Sequence, residues 1–241
     1  MVDAGLIAYA QACELQQQLV EARKAGEIPD VLLFCEHPHV ITMGRNAKRA
    51  NLLASKRVLA QEGVELAETD RGGDITYHGP GQIVAYPILD LAEHRKDVRW
   101  YVEQLEEVMI LASADSGVEA RWSEAGLGVW VDCPAGEEKL GAIGVHLSRW
   151  VTSHGFAYNV STDLRYFDLI VPCGIAGKRA TSLERALGRA VSGEEVRARL
   201  AERFGQAFER MMISVTREEL ERTLGETRQP EEVGAVKGLE A

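Results

Sequence analysis

The chain has 241 residues, 46% of them hydrophobic and 27% charged, enough for one sizeable core in a single domain. Its net charge of −10 lacks the basic footprint that nonspecific nucleic-acid binding requires. No apolar run approaches bilayer-spanning length, and Met1 to Ala12 lacks the basic flank and apolar core of a signal peptide, so a cytoplasmic protein without membrane contact is expected.

In chain order, residues 6 to 25 read as an opening helix ended by Gly26 and Pro29. Val31 to Phe34 and Val40 to Met43 read as short strands. Between them lies Glu36-His37-Pro38-His39, whose two histidines could ligate a metal only with a third ligand that the neighbouring sequence does not offer; a loop or strand edge is expected. Val64 to Glu68 reads as another strand, and Ile83 to Leu89 as an edge strand or strand end because it carries Pro87.

Val98, Tyr101, Val102, Leu105, Val108, Met109 and Ala112 recur at helical spacing, giving one buried helix face that Gly117 stops. Leu127 to Val131, Lys139 to Leu147 and Trp150 to Tyr158 read as successive strands. A second helix starts at Ser192, where Glu195 completes a capping box, and presents Val196, Leu200, Phe204 and Met211 on one side. The spacing predicts an α/β (α+β) fold, a mixed and largely antiparallel sheet with helices on one side. Residues 1–225 form the expected single domain, and 226–241 the expected mobile tail.

Three segments carry more chemistry than scaffold needs. Arg71-Gly72-Gly73-Asp74-Ile75-Thr76-Tyr77-His78-Gly79-Pro80-Gly81-Gln82 combines tight-turn residues with polar side chains, without the Gly-Lys-Ser/Thr of a phosphate loop. Lys139 opens an apolar, glycine-containing strand through Ala142, Ile143, Gly144 and His146, where a lysine usually just reaches solvent. Cys173 sits between Pro172 and Gly174 after an apolar run, either a small buried hydrophobe or a sulfur held on a turn. Cys13, Cys35 and Cys133 have no comparable setting and read as structural thiols, with no disulfide framework.

Taken in order, Arg71 to Gln82, the Lys139 strand, Thr152-Ser153-His154-Gly155-Phe156-Ala157-Tyr158-Asn159-Val160 and Val171-Pro172-Cys173-Gly174-Ile175 resemble the bacterial octanoyltransferases of lipoate biosynthesis, from about Leu32 to Leu183. The resemblance implies a fold similar to biotin and lipoate ligase catalytic domains, and transfer of an octanoyl group from acyl carrier protein. The implied acceptor is a lysine of lipoyl domains in 2-oxoacid dehydrogenases and of the glycine cleavage H protein. Cys173 matches the family's acyl-thioester cysteine and Lys139 its partner. Arg71 to His78, Ala142 to Gly144 and Gly155 to Ala157 match the segments that line the acyl pocket. A monomer without cofactor or metal is implied.

The chemistry agrees with the resemblance. A nearby ammonium favours the nucleophilic thiolate, and thioester-to-amide transfer runs downhill without ATP. The glycines at 141, 144 and 155 are expected to let a linear chain lie against the backbone. His78 and His154 are expected in supporting roles and His146 in none. Arg45, Lys48, Arg49, Lys178 and Arg179 are expected near the pocket mouth, as a basic face for an acidic donor. The alternatives are an ATP-dependent lipoate- or biotin-type ligase, which would not need Cys173, and a noncatalytic lipoyl-domain-binding module.

Overall fold

A computed structural model describes residues 1–134, 136–172 and 177–227. Among these, the main sheet runs in the order β1 (Val2–Leu6), β2 (Val31–Glu36), β6 (Gln82–Ile88), β9 (Val151–Asn159), β8 (Gly136–Ser148) and β10 (Arg179–Ala180), with β7 (Val129–Cys133) also paired to β8. A smaller sheet orders β4 (Glu65–Glu68), β3 (Val40–Met43) and β5 (Ile75–His78). Antiparallel pairing dominates the main sheet, and β1 on β2 and β10 on β8 are parallel.

Strand alternation divides the main sheet into two apolar faces. Leu32, Phe34, Ile83, Ala85, Phe156 and Tyr158 pack with α3 (Val98–Asp115) and α5 (Gly193–Ala207). Leu33, Cys35, Val84, Tyr86 and Ala157 face the other way, in a cluster with α1 (Tyr9–Ala25) and α6 (Arg217–Thr227). Helices therefore cover both faces, not one. The reason is legible in β2 and β6, which are buried at consecutive positions and so need apolar partners on each side. Two short helices, α2 (Lys56–Gln61) and α4 (Leu183–Leu187), complete the described elements. No described helix is long and apolar enough to cross a membrane.

The helix ends follow their local chemistry. Gly26 closes α1 in the left-handed region at φ 74°, returning its amide to Ala22 and Arg23. Asp97 caps α3 by accepting from the Trp100 amide at 3.1 Å, and Ser192 caps α5 by accepting from Glu195. The α3 face of Tyr101, Leu105, Val108, Met109 and Ala112 is fully buried, each large side chain contributing about 1.5–3 kcal/mol.

Four expectations change. The opening helix begins at Tyr9, because Val2 to Leu6 form a strand beside β2. The strand carrying Pro87 is central, lying between β2 and β9, and Pro87 is tolerated because the β9 ladder has ended at Ala85–Phe156. Met211 lies outside α5 and is 86% exposed, since the Arg210 amide turns back onto the Gly205 carbonyl. The helices expected on one side of the sheet lie on both. The tail expected from 226 lies almost wholly outside the described residues.

Candidate active site

A cavity of about 320 Å³ lies on the α1 face of the main sheet, within the usual range for small-molecule sites. Its floor comes from neighbouring strands: Val84 and Tyr86 on β6, Gly155 to Ala157 on β9, and Ala142 to Val145 on β8. Register places Val84, Ala157 and Ala142 side by side, so small side chains leave the space open. Residues Arg71 to Thr76, with His78, form the opposing wall. Lys139, Gly126 and Leu127 stand at one end, and Tyr9 and His154 also line the cavity.

The wall is held by Arg71. Its buried guanidinium donates to the Thr42 carbonyl at 2.7 Å, the Thr42 hydroxyl at 2.8 Å, and the carbonyls of Gly72 and Asp74. That charge therefore braces a loop. The Gly72 amide then donates to the Val145 carbonyl at 2.9 Å, tying the wall to the floor.

Tyr77 is placed differently from its expectation. Strand alternation turns it away from the cavity, where it stacks on Tyr166 at 5.1 Å and its hydroxyl meets His39 Nδ1 at 2.7 Å. The glycine expectation also fails. A Cβ on Gly141 would meet Met109, one on Gly155 the Ala85 carbonyl, and one on Gly144 the Gly72 carbonyl at 2.9 Å. These glycines admit neighbouring protein, and Ala142 and Ala157 leave the room.

His78 belongs to a directional chain of hydrogen bonds. Gln82 donates through Nε2 to the Tyr77 carbonyl and to Asn159 Oδ1, so its Oε1 accepts from His78 Nδ1 at 2.7 Å. Asn159 donates to the Thr181 carbonyl, and the Thr181 amide donates to the Lys139 carbonyl at 2.9 Å. Burial lowers the His78 pKa to about 3, helped by the nearby His37 ring and the Arg71 guanidinium, so the ring is neutral. His37, whose metal-binding option was open in the sequence, is buried with its ring nitrogens at the Ile7 carbonyl, 2.8 Å, and the Tyr86 hydroxyl, 2.7 Å.

Lys139 is half-buried, donates from Nζ to the Leu127 carbonyl at 2.9 Å, and lies 4.6 Å from the centroid of the Trp130 ring. A small adjoining hollow shares Lys139, Thr76, Ala142 and Ala157 with the main cavity, and Pro172 and Lys178 also line it. Cys173 itself lies outside the described residues.

The basic cluster separates on inspection. Arg45, Lys48 and Arg49 are exposed on a turn bound to the cavity wall, through Arg45 N to the Arg71 carbonyl and Lys48 N to Asp74. The same turn accepts the Val171 amide on the Asn51 carbonyl at 2.7 Å. Lys178, by contrast, is paired with Glu137 at 2.8 Å. At the other end, His154 Nε2 meets Asp70 at 2.7 Å, and His146, expected to have no role, also lies 3.7 Å from Asp70. Burial lowers the His154 pKa against the pull of Asp70. Asp70, Tyr9, Tyr86, Thr42 and Trp130 escaped the sequence reading; none sits in a motif, and only the fold brings Tyr9 and Tyr86 to the cavity and the other three against residues that line it.

The Lipoyl protein ligase A/B catalytic domain family matches residues 8–205. The octanoyltransferase of Solibacter usitatus is 53% identical over 209 residues, covering 87% of this chain and 92% of that protein. The octanoyltransferase of Koribacter versatilis is 50% identical, covering 88% and 85%. Among solved structures, the bipartite lipoate protein ligase of Thermoplasma acidophilum superposes with a TM-score of 0.71 at 18% identity, covering 93% of this chain and 90% of that one. The fold is thus shared with lipoate protein ligases. With a family match across most of its length and half its residues identical to such relatives, the chain belongs to the lipoyl protein ligase A/B catalytic-domain family and, within it, to the octanoyltransferases.

Proposed function

We propose that this protein moves an octanoyl group from acyl carrier protein to a lysine of lipoyl domains, through a thioester on Cys173. One observation carries the reading: an elongated apolar cavity opens beside the Lys139 ammonium, and Pro172, the residue before Cys173, lines the hollow that Lys139 shares. The octanoyltransferase relatives supply the substrate class.

In the first half-reaction the Cys173 thiolate attacks the donor thioester carbonyl, and the new C–S bond forms as the carrier's C–S bond breaks. Lys139 gives its proton to the departing carrier thiolate. In the second, the neutral amine of the acceptor lysine attacks the acyl-cysteine, an amide forms, and Cys173 leaves as thiolate. The amine's proton returns to Lys139, restoring both groups. The alkyl chain gains about 0.8 kcal/mol for each methylene it buries, enough to hold the acyl group by its tail. Residues 1–225 act as the catalytic domain, and the protein works in the cytoplasm as a monomer.

Intact-protein mass spectrometry after mixing with octanoyl-acyl carrier protein, without ATP, tests the reading. An octanoyl adduct is expected on wild type, absent in Cys173→Ala and discharged by apo lipoyl domain. No adduct, or an adduct that survives the substitution, would remove the acyl-cysteine step.

A further inference from the structure

The cavity floor is one antiparallel ladder, so depth along it is counted in residue pairs. Beyond Lys139 come Ala142 with Ala157, Gly144 with Gly155, and Val145 with His154, all of them cavity residues. From Lys139 to Val145 is six residues along β8, about 20 Å of strand. The next pair, His146 with Ser153, lines a separate pocket of about 310 Å³ with Gln16, Lys24 and Asp70. His154 is common to both spaces.

His154 is built as a wall. Its residue is 6% exposed, its backbone sits at φ 55°, where a side chain other than glycine is strained, and its ring lies edge-on to Tyr86 at 6.3 Å. Both ends of the residue are held from outside the cavity: the amide by Gln16 Oε1 at 2.8 Å and the ring Nε2 by Asp70 at 2.7 Å. The ring stands between the cavity and this second pocket, which Cys13 and Val20 also line, so the imidazole itself is the partition between them.

We infer that His154 is the end stop that sets the longest acyl chain the cavity accepts, with Asp70 and Gln16 as its positioning residues. The identity of the occupant rests on the proposed function; the length of the cavity does not. The inference is tested without turnover, by titrating straight-chain fatty acids of six to eighteen carbons into wild type, His154→Gly and Asp70→Asn by calorimetry. Glycine suits the left-handed backbone at 154, and thermal midpoints confirm that each variant is folded.

For wild type, Kd should fall about fourfold per added methylene up to one chain length and then stop falling. In His154→Gly the fall should continue for at least two carbons past the wild-type break, tightening the acids beyond it at least tenfold. Asp70→Asn should blur the break. The same break in wild type and His154→Gly, no break in wild type, or no fatty-acid binding at all overturns the inference. Octanoyl transfer by wild type, read separately by mass, keeps this outcome distinct from the fate of the proposed reaction.

Discussion

His78 gives its Nδ1 proton to Gln82 Oε1 at 2.7 Å, and three further hydrogen bonds carry that alignment through Asn159 and Thr181 to the carbonyl of Lys139. A neutral, buried imidazole on β5 is thereby coupled to the position of an ammonium on β8. The wall of the cavity and its reactive end share one framework.

Gln82→Leu should break that framework. It leaves the His78 Nδ1 proton and Asn159 Oδ1 buried without partners, each costing about 1–3 kcal/mol. Urea denaturation should show a loss in that range, with octanoyl turnover falling alongside. A loss below about 0.5 kcal/mol would mean that water or a neighbour replaces the amide.

Lys139→Met keeps a long stem over Trp130 and removes the charge. Octanoyl transfer should drop about 10²–10⁴-fold, the usual worth of a positioned acid–base group. Alkylation of Cys173 by iodoacetamide at neutral pH, followed peptide by peptide, should slow as the thiol loses a stabilising cation. Equal alkylation rates would remove Lys139 as the cysteine's partner.

Reversing the exposed turn with Arg45→Glu, Lys48→Glu and Arg49→Glu together should raise KM for the acidic carrier-protein donor and flatten its dependence on salt. A small octanoyl thioester should react as before. Lys178 is left out because Glu137 already neutralises it. Unchanged salt dependence would move the docking surface elsewhere.

Acid should unfold the protein partly through His78. Its pKa is about 3 when folded and near 6.5 unfolded, so the unfolded chain binds more protons between these values. Stability is complete above pH 6.5 and falls as pH drops towards 3, by at most about 1.4 kcal/mol per pH unit for this residue. The slope of stability against pH should be shallower in His78→Gln. An identical slope would assign the acid sensitivity to other groups, such as Asp30. Burial raises the Asp30 pKa, but hydrogen bonds from His94, Arg23 and the Asp90 amide outweigh it and bring it to about 2.

The sequence carried the elements whose periodicity is local. The α3 stripe, the Ser192 cap and the Gly26 stop appear where spacing and capping chemistry put them. What escaped depended on long-range pairing. Val2 to Leu6 have little alternation of their own and become a strand only beside β2. Tyr77 sat in the right segment but on the wrong face, since motif order cannot give strand parity. Asp70 and His146 meet His154 only because β8 and β9 pair as they do and the wall loop crosses them.

The alternation on β9 separates two duties along one strand. Phe156 and Tyr158 face α3 and secure the core, while Ala157 between them faces the cavity. Substrate preference and thermal endurance are therefore written in interleaved letters. A lineage under selection for a different acyl group can revise Ala157 and leave the rest of the text, and the fold it specifies, unchanged.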